Sequence, residues 1–433
     1  MPLILSNLAQ FAIHITDTIM LGWYDVTALA ASTIAGTMFF ITFIVGAGFA
    51  QAVTPLVAAA AEENDDVQVR RVTRMGLWLS VFYGVAITIP FFWTEKILIA
   101  IGQDPAVAEL AQIYLWIAIW QMVPALIVMV LKSFLAALEH TAIILWATGG
   151  AAVLNIFVNY ALIFGNWGAP ELGIRGAAIA SLSVTAISVL ILLIYTLRRL
   201  PQYQLFRNIW RSDRDVMARV FRVGWPIGLT SLAEGGLFSA AAVMMGWIGP
   251  IPLAAHGIAI QLSGLTFMVH IGFSQAATVR AGRALGRKDE LALRRGGKTA
   301  IAMSACYALA TSVVFVVFAE QLVGLFIDPD EPQRAALLEV GVSLIILSAV
   351  FQLVDGLQVM ALGLLRGVQD TAVPMIMASF SYWGIGLPCS YVLAFPLGFG
   401  PAGLWAGLVV GLALAAVTLS WRFWGYAVYR ATA

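Results

Sequence analysis

Charged residues make up only 11% of the 433-residue chain, less than half the roughly 25% that a soluble domain carries. That shortage excludes a soluble enzyme, a disordered protein and a nucleic-acid binder. Cysteine is nearly absent: Cys306 and Cys389 both lie in apolar runs and fit no C-x-x-C spacing, so neither a disulfide framework nor a zinc site is available. The chain has no H-E-x-x-H set and no nucleophile–base motif, which argues against a membrane-embedded enzyme. The first apolar stretch, 2–23, lacks a basic lead and an A-x-A cleavage signature, so it is expected to be a retained first helix and not a signal peptide.

What the chain has in abundance is apolar sequence, at 61%. A hydrocarbon core of about 30 Å needs roughly 20 apolar residues per helix. Twelve such runs can be laid out, at 2–23, 27–52, 76–94, 106–131, 142–165, 173–197, 224–248, 252–279, 299–319, 337–365, 372–396 and 402–426. Turn chemistry separates them, as at Asp104-Pro105, Asp328-Pro329-Asp330 and Gly400-Pro401. The runs are continuous and lack period-2 alternation, which excludes a large β-barrel. The expected fold is an all-α integral membrane protein of twelve transmembrane helices.

Basic residues set the expected orientation. Of 24 Lys and Arg, 21 follow the even-numbered helices or lie near the C-terminal end, and only Lys96, Arg175 and Arg334 fall on the other side. Both termini are therefore expected in the cytoplasm. The long basic stretch is read as a cytoplasmic linker, 201–222, between an N-terminal lobe, 1–200, and a C-terminal lobe, 223–433. A solvated loop accounts for its arginines without nucleic acid.

The halves align without a gap at an offset of 224 residues. Pro2 matches Pro226, Met20, Gly22 and Trp23 match Met244, Gly246 and Trp247, Gln51-Ala52 matches Gln275-Ala276, and Arg70-Arg71 matches Arg294-Arg295. Leu and Ala recur by chance in apolar helices; Trp, Pro, Gln and Arg in fixed register do so far less. Six helices separate the copies, so both enter the membrane from the same side, as parallel repeats about the membrane normal do. Two pseudo-symmetric six-helix bundles around a central cleft are expected, and a carrier fits that plan better than a channel.

Three acids interrupt the spans: Asp17 in helix 1, Glu234 in helix 7 and Asp355 in helix 10. Each costs about 2.5–3.5 kcal/mol at the centre of a spanning helix on insertion scales, and such groups normally face a bundle interior or a wet cavity. No Lys or Arg occupies the middle of a span to neutralise them. A proton, a small metal cation or an organic cation could do so in turn, and competition for one negative site is the basis of antiport. Asn155 and Asn159 share one face of helix 5, and Ser181 lies on helix 6. Their oxygens suit a hard cation such as Na⁺, although interhelical hydrogen bonding is an equal use for them. Gln261 and Gln352 are weaker cavity-lining candidates. His14, His256 and His270 are expected to pack or hydrogen-bond. The Gly403-x-x-x-Gly407-x-x-x-Gly411 ridge is expected to serve packing within the chain, and Asp370 or Thr371 to N-cap helix 11.

Several stretches resemble the multidrug and toxic compound extrusion (MATE) family, most closely its NorM-type bacterial branch. They are DTIMLGW at 17–23, LNIFVNYALIFG at 154–165, PELGIRGAAIAS at 170–181, PIGLTSLAEGGLF at 226–238, LAAHGIAIQ at 253–261 and DGLQVMALGLLRGVQDT at 355–371. The resemblance implies two six-helix lobes around a V-shaped cleft. It also implies efflux of organic cations and amphiphilic drugs, driven by Na⁺ or H⁺, by a monomer in a bacterial inner membrane. Asp17 would be the family's helix-1 acid, Asn155 and Asn159 its helix-5 pair, and Ser181 stands where relatives often have Thr. Glu234 and Asp355 match the C-terminal acids of the branch. If sodium is the coupling ion, Asp17, Asn155, Asn159, Glu234 and Asp355 would hold it; no cofactor beyond the transported ion is implied. Lipid-linked oligosaccharide flippases of the same superfamily are the alternative, but pyrophosphate-linked cargo calls for basic residues in the cavity, and the intramembrane charges here are acidic.

Overall fold

A computed structural model describes residues 1–100, 102–329 and 331–429. Asp330 of the Asp-Pro-Asp break and Arg430 of the basic residues counted above lie outside the described residues. Among the described residues there is no strand, and twelve helices are long and apolar enough to cross a membrane. They are α1 (Pro2–Tyr24), α2 (Thr27–Glu62), α3 (Asp66–Ala100), α4 (Pro105–Ala137), α5 (Thr141–Phe164), α6 (Ile174–Arg199), α7 (Arg214–Ile248), α8 (Pro250–Gly286), α9 (Glu290–Val317), α10 (Arg334–Gly367), α11 (Ala372–Ala394) and α12 (Gly400–Ala427). Each apolar run of the sequence falls on one of these helices, with 142–165, 173–197, 299–319 and 372–396 reaching one or two residues past a helix end, and several helices run well past the apolar limits. At 1.5 Å per residue, the 36 residues of α2 reach about 54 Å, against a hydrocarbon core of about 30 Å. The overhanging turns hold much of the scarce charge.

The chain divides into two compact units, Met1–Gly228 and Leu229–Ala433. The 224-residue offset is written into their helix boundaries. α2 ends at Glu62 and α8 at Gly286; α3 begins at Asp66 and α9 at Glu290. Asp65 and Asp289, one offset apart, each accept the first-turn amide of the helix that follows, from Gln68 and Ala292 at 2.8 Å. The residues before them, Asn64 and Lys288, both take a left-handed conformation (φ 56° and 54°). A three-residue reversal between two helices needs that backbone shape, and an aspartate cap ends it.

Three prolines lie at or next to places where a helix departs from α geometry, each removing a backbone donor. Pro90 sits in a 3₁₀ segment, Ile89–Trp93, inside α3. Pro124 follows another, Ile119–Gln121, inside α4. In α11 the segment Phe380–Gly386 widens to a π-helix just before Pro388. The glycine ridge of α12 packs within the chain. A Cβ on Gly407 would lie 2.2 Å from the Ser390 backbone nitrogen, and one on Gly411 would lie 2.6 Å from the Gly386 Cα. α11 and α12 thus touch backbone to backbone.

One expected cap is not made. Helix 11 begins after Thr371 without a side-chain cap, and Asp370 instead receives Arg422 through two bonds of 2.7 and 3.1 Å. A bidentate guanidinium is a stronger partner for a carboxylate than a single amide, so Asp370 ties the end of α12 to the α10–α11 turn. The segment before α7 is strapped to α3 in a similar way. Arg71 donates to Asp213 at 2.5 Å, Arg74 to the Asn208 carbonyl at 3.0 Å and Trp78 to the Ile209 carbonyl at 2.8 Å.

Two outcomes follow from this packing. Gly407→Ala is expected to cost about 1–3 kcal/mol through overpacking and to lower the melting temperature in detergent. Gly257→Ala, with nothing within 4 Å of the added carbon, should not lower it. The second outcome concerns acid. Arg71 holds the Asp213 carboxyl below its ordinary value, so the pair's stabilisation is present above the usual carboxylate range near pH 4 and is lost as pH falls through the depressed value. Because Arg71 is 40% exposed, the effect is small, about 0.2–1 kcal/mol. Melts of wild type and Asp213→Asn should differ at pH 7 and converge in strong acid.

Candidate cation sites

In the first unit, α1, α5 and α6 bring Asp17, Asn155, Asn159 and Ser181 together. The two asparagines are four residues apart, hence on one face of α5, and both are fully buried. Asn155 and Asn159 donate to Asp17 Oδ1 at 3.0 and 2.5 Å, and Ser181 Oγ donates to Oδ2 at 3.3 Å. Asn159 also donates to Asn155 Oδ1 at 3.2 Å, leaving its own Oδ1 buried and unpartnered. An ionised carboxylate only accepts, so both amides turn their N–H groups toward it. For these amides to coordinate an alkali ion they would have to turn over and present oxygen. Tyr114 of α4 lies beside Ser181 and within electrostatic reach of Asp17.

In the second unit, Glu234 of α7 and Asp355 of α10 come close enough for their charges to act on each other. They are less well satisfied than Asp17: Glu234 Oε1 and Asp355 Oδ1 are both buried without a hydrogen-bond partner. Three further residues complete the cluster. Gln358, fully buried, turns its amide to the Glu234 carboxyl and donates Nε2 to the Tyr382 hydroxyl at 2.5 Å. Gln358 Oε1 is left buried and unpartnered. Arg366, at the end of α10, is the basic group whose charge acts on Glu234, so these acids are not without a positive neighbour as the sequence suggested.

Sequence reasoning passed over Tyr114, Gln358, Arg366 and Tyr382. A signal was present for two of them: Asp355, Gln358 and Arg366 stand at i, i+3 and i+11, one face of a helix over three turns. Tyr382 gave none, since it reaches Gln358 from within the π-helical segment of α11.

The weaker candidates stay outside both clusters. Gln261 is exposed, and Gln352 donates to Thr266 Oγ1. His256 accepts from Trp405 Nε1 at 3.1 Å, His270 bonds Ser304 at 2.8 Å, and His14 is exposed. A depression of about 610 Å³ between Tyr24, Asp25, Glu171 and Arg175 contains none of the six principal site residues. Among the described residues no group of three or more His, Cys, Asp or Glu could hold a metal ion.

The MatE family model matches residues 2–161 and 226–392, which takes in all six of those residues except Ser181. The chain belongs to the MatE family. A probable multidrug resistance protein NorM of Rhizobium meliloti (strain 1021) is 46% identical over 426 residues, covering 98% of this chain and 91% of that protein. Another, of Agrobacterium fabrum (strain C58 / ATCC 33970), is 43% identical over 424 residues at the same coverage. Among solved structures, a MATE protein in its straight conformation aligns with a TM-score of 0.90 at 20% identity, over 99% of this chain and 95% of that one. The eukaryotic MATE transporter AtDTX14 aligns at 0.86 and 20%, over 100% and 96%. Identities this low establish the shared twelve-helix fold alone. MatE membership makes the chain a multi-pass membrane transporter and not an enzyme.

The Asp17 cluster predicts energetic coupling. Asn159→Ala should cost about 1–3 kcal/mol by leaving a buried acceptor short of a donor. In an Asp17→Asn background the same change should cost less. Thermal melts of the four proteins measure the difference, expected on the order of 0.5–3 kcal/mol for groups in contact; simple additivity would mean that the contact contributes nothing.

Proposed function

We propose that this MatE protein exports organic cations and amphiphilic drugs in exchange for a monovalent cation, Na⁺ or H⁺, with both ligands competing for its buried carboxylates. The observation that carries this reading is the pair of orphaned oxygens on Glu234 and Asp355. A buried acceptor without a partner forfeits roughly 1–3 kcal/mol, more when charged. A visiting cation recovers that energy, and only one can do so at a time. The naming of the relatives as multidrug resistance proteins supports the drug side of the exchange.

In this reading the coupling ion loads the acids from one face of the membrane and displaces the drug; on the other face the drug displaces the ion. A potential of 100 mV contributes about 2.3 kcal/mol for each charge moved. Asp17 takes part through the same competition, with its asparagines and Ser181 as alternative partners whenever the ion is away. The distribution of Lys and Arg supports placing both termini in the cytoplasm, and the bacterial sources of the NorM relatives support an inner-membrane location. Each unit contains its own acids, so a monomer is sufficient.

Reconstituted in proteoliposomes, the protein should move ethidium against its gradient when an ion gradient is imposed. Asp355→Asn or Asp17→Asn should abolish that movement while leaving a monodisperse, normally melting protein. Exchanging a Na⁺ gradient for a pH gradient names the ion. Dye movement that persists unchanged after both gradients are collapsed would sink antiport.

A further inference from the structure

In the first unit, the end of α6 and the connection that follows it enclose a depression of about 260 Å³. Its wall is apolar, formed by Leu197, Leu200, Pro201, Leu205 and Phe206, and Arg207 is the one charged residue that lines it. Drug-sized ligands occupy pockets of about 300–1,000 Å³, so this one is sized for a narrower apolar group such as a stretch of acyl chain. Arg207 is held in place: it donates Nη1 to Gln204 Oε1 at 2.7 Å, and Gln204 itself takes a left-handed backbone (φ 43°) that is uncommon outside glycine. The walls are fixed as well. Leu200 and Leu205 are buried, the Tyr203 ring meets Phe134 edge-on at 5.8 Å, and the carbonyls of Asn208 and Ile209 are bonded to α3. From 198 to 212 the chain carries four arginines and no acid, and the acid that comes next, Asp213, is already bonded to Arg71. Trp210, between Arg207 and Arg211, is 85% exposed.

We propose that this depression binds an anionic phospholipid of the leaflet on the side where most Lys and Arg lie: Arg207 takes the phosphodiester, an acyl chain lies along the Leu197 and Phe206 wall, and Trp210 settles among the headgroups. A guanidinium matches a phosphate through two parallel N–H donors, and the bond to Gln204 occupies one of the five that Arg207 has. The surrounding arginines choose the head. A zwitterionic lipid brings an ammonium that they repel, whereas a head with phosphate alone keeps a net negative charge that they attract. Tryptophan favours the headgroup level of a bilayer, where its ring is half wet and half apolar. A soluble polyanion would account for the arginines, but not for an apolar wall beside them or for a bare indole. Nothing in this inference depends on the exchange of drug and cation.

The test is native mass spectrometry of the full chain in detergent, titrated with phosphatidylglycerol and phosphatidylethanolamine of identical chains. Wild type should retain phosphatidylglycerol at least about fivefold more tightly than phosphatidylethanolamine, the effect of one basic residue at an anionic lipid surface. Arg207→Gln should lose about that factor for phosphatidylglycerol, whereas Arg280→Gln, which removes an exposed arginine of α8, should lose none. Gln204→Glu leaves Arg207 in place but sets a negative charge against it, and should lose as much as Arg207→Gln. Leu197→Asn should weaken both lipids and keep the preference between them; Leu197 is 51% exposed, so this variant should melt as wild type does. Inorganic phosphate, which has the charge without the chains, should not displace the lipid. The proposal is overturned if wild type holds both lipids equally, if Arg207→Gln behaves as Arg280→Gln does, if Gln204→Glu or Leu197→Asn binds both lipids as wild type does, or if phosphate displaces the lipid. Should Arg207→Gln fail to fold, Gln204→Glu decides the role of the head and Leu197→Asn that of the chain.

Discussion

A carboxylate taken out of water must find either hydrogen-bond donors or a positive charge, and a chain that is 61% hydrophobic has few of either to offer. This one places three acids in its spans and meets the demand in two ways. Asp17 is served by three neutral donors from α5 and α6. Glu234 has the Gln358 amide and the charge of Arg366 beside it, Asp355 has Glu234 as its charged neighbour, and each acid keeps a buried oxygen without a hydrogen-bond partner. The first arrangement is a satisfied acid whose donors could be displaced. The second leaves two buried carboxylate oxygens without a hydrogen-bond partner.

Much of the remaining architecture serves to keep those acids in place. Close backbone contact along Gly403, Gly407 and Gly411 lets α11 lie tightly against α12. The π-helical segment of α11 then carries Tyr382 to the hydroxyl position that anchors Gln358. Wider turns of this kind often occur at functional sites because they re-aim a side chain without ending the helix. Asp370 and Arg422 tie the neighbouring helix ends together. In the other unit, Arg71, Arg74 and Trp78 fasten the long connecting segment to α3, so residues that read as a solvated basic loop have structural partners.

The two halves share a plan down to their capping aspartates and left-handed turn residues, yet they use it differently. Asp17 and its asparagines have no counterpart at the 224-residue offset: position 241 is alanine. Glu234 lies seven residues earlier on its helix and, unlike Asp17, has a second acid within electrostatic reach. A duplicated scaffold thus holds two chemically distinct carboxylate clusters, one rich in donors and one rich in acceptors.

Span number, the internal repeat and the three intramembrane acids were all legible in the sequence, because each rests on local periodicity, on solvent class or on the cost of a charge in oil. Asn155 and Asn159 were legible for the same reason: four residues on a helix define one face. What those faces meet was not. Whether an acid is satisfied, which carboxylate Arg422 prefers and where the Tyr382 hydroxyl comes to rest depend on how helices rotate and press together. That rotation is set by the shapes of many apolar side chains acting at once, and by backbone departures such as the π-turn in α11, so only the tertiary structure decided them.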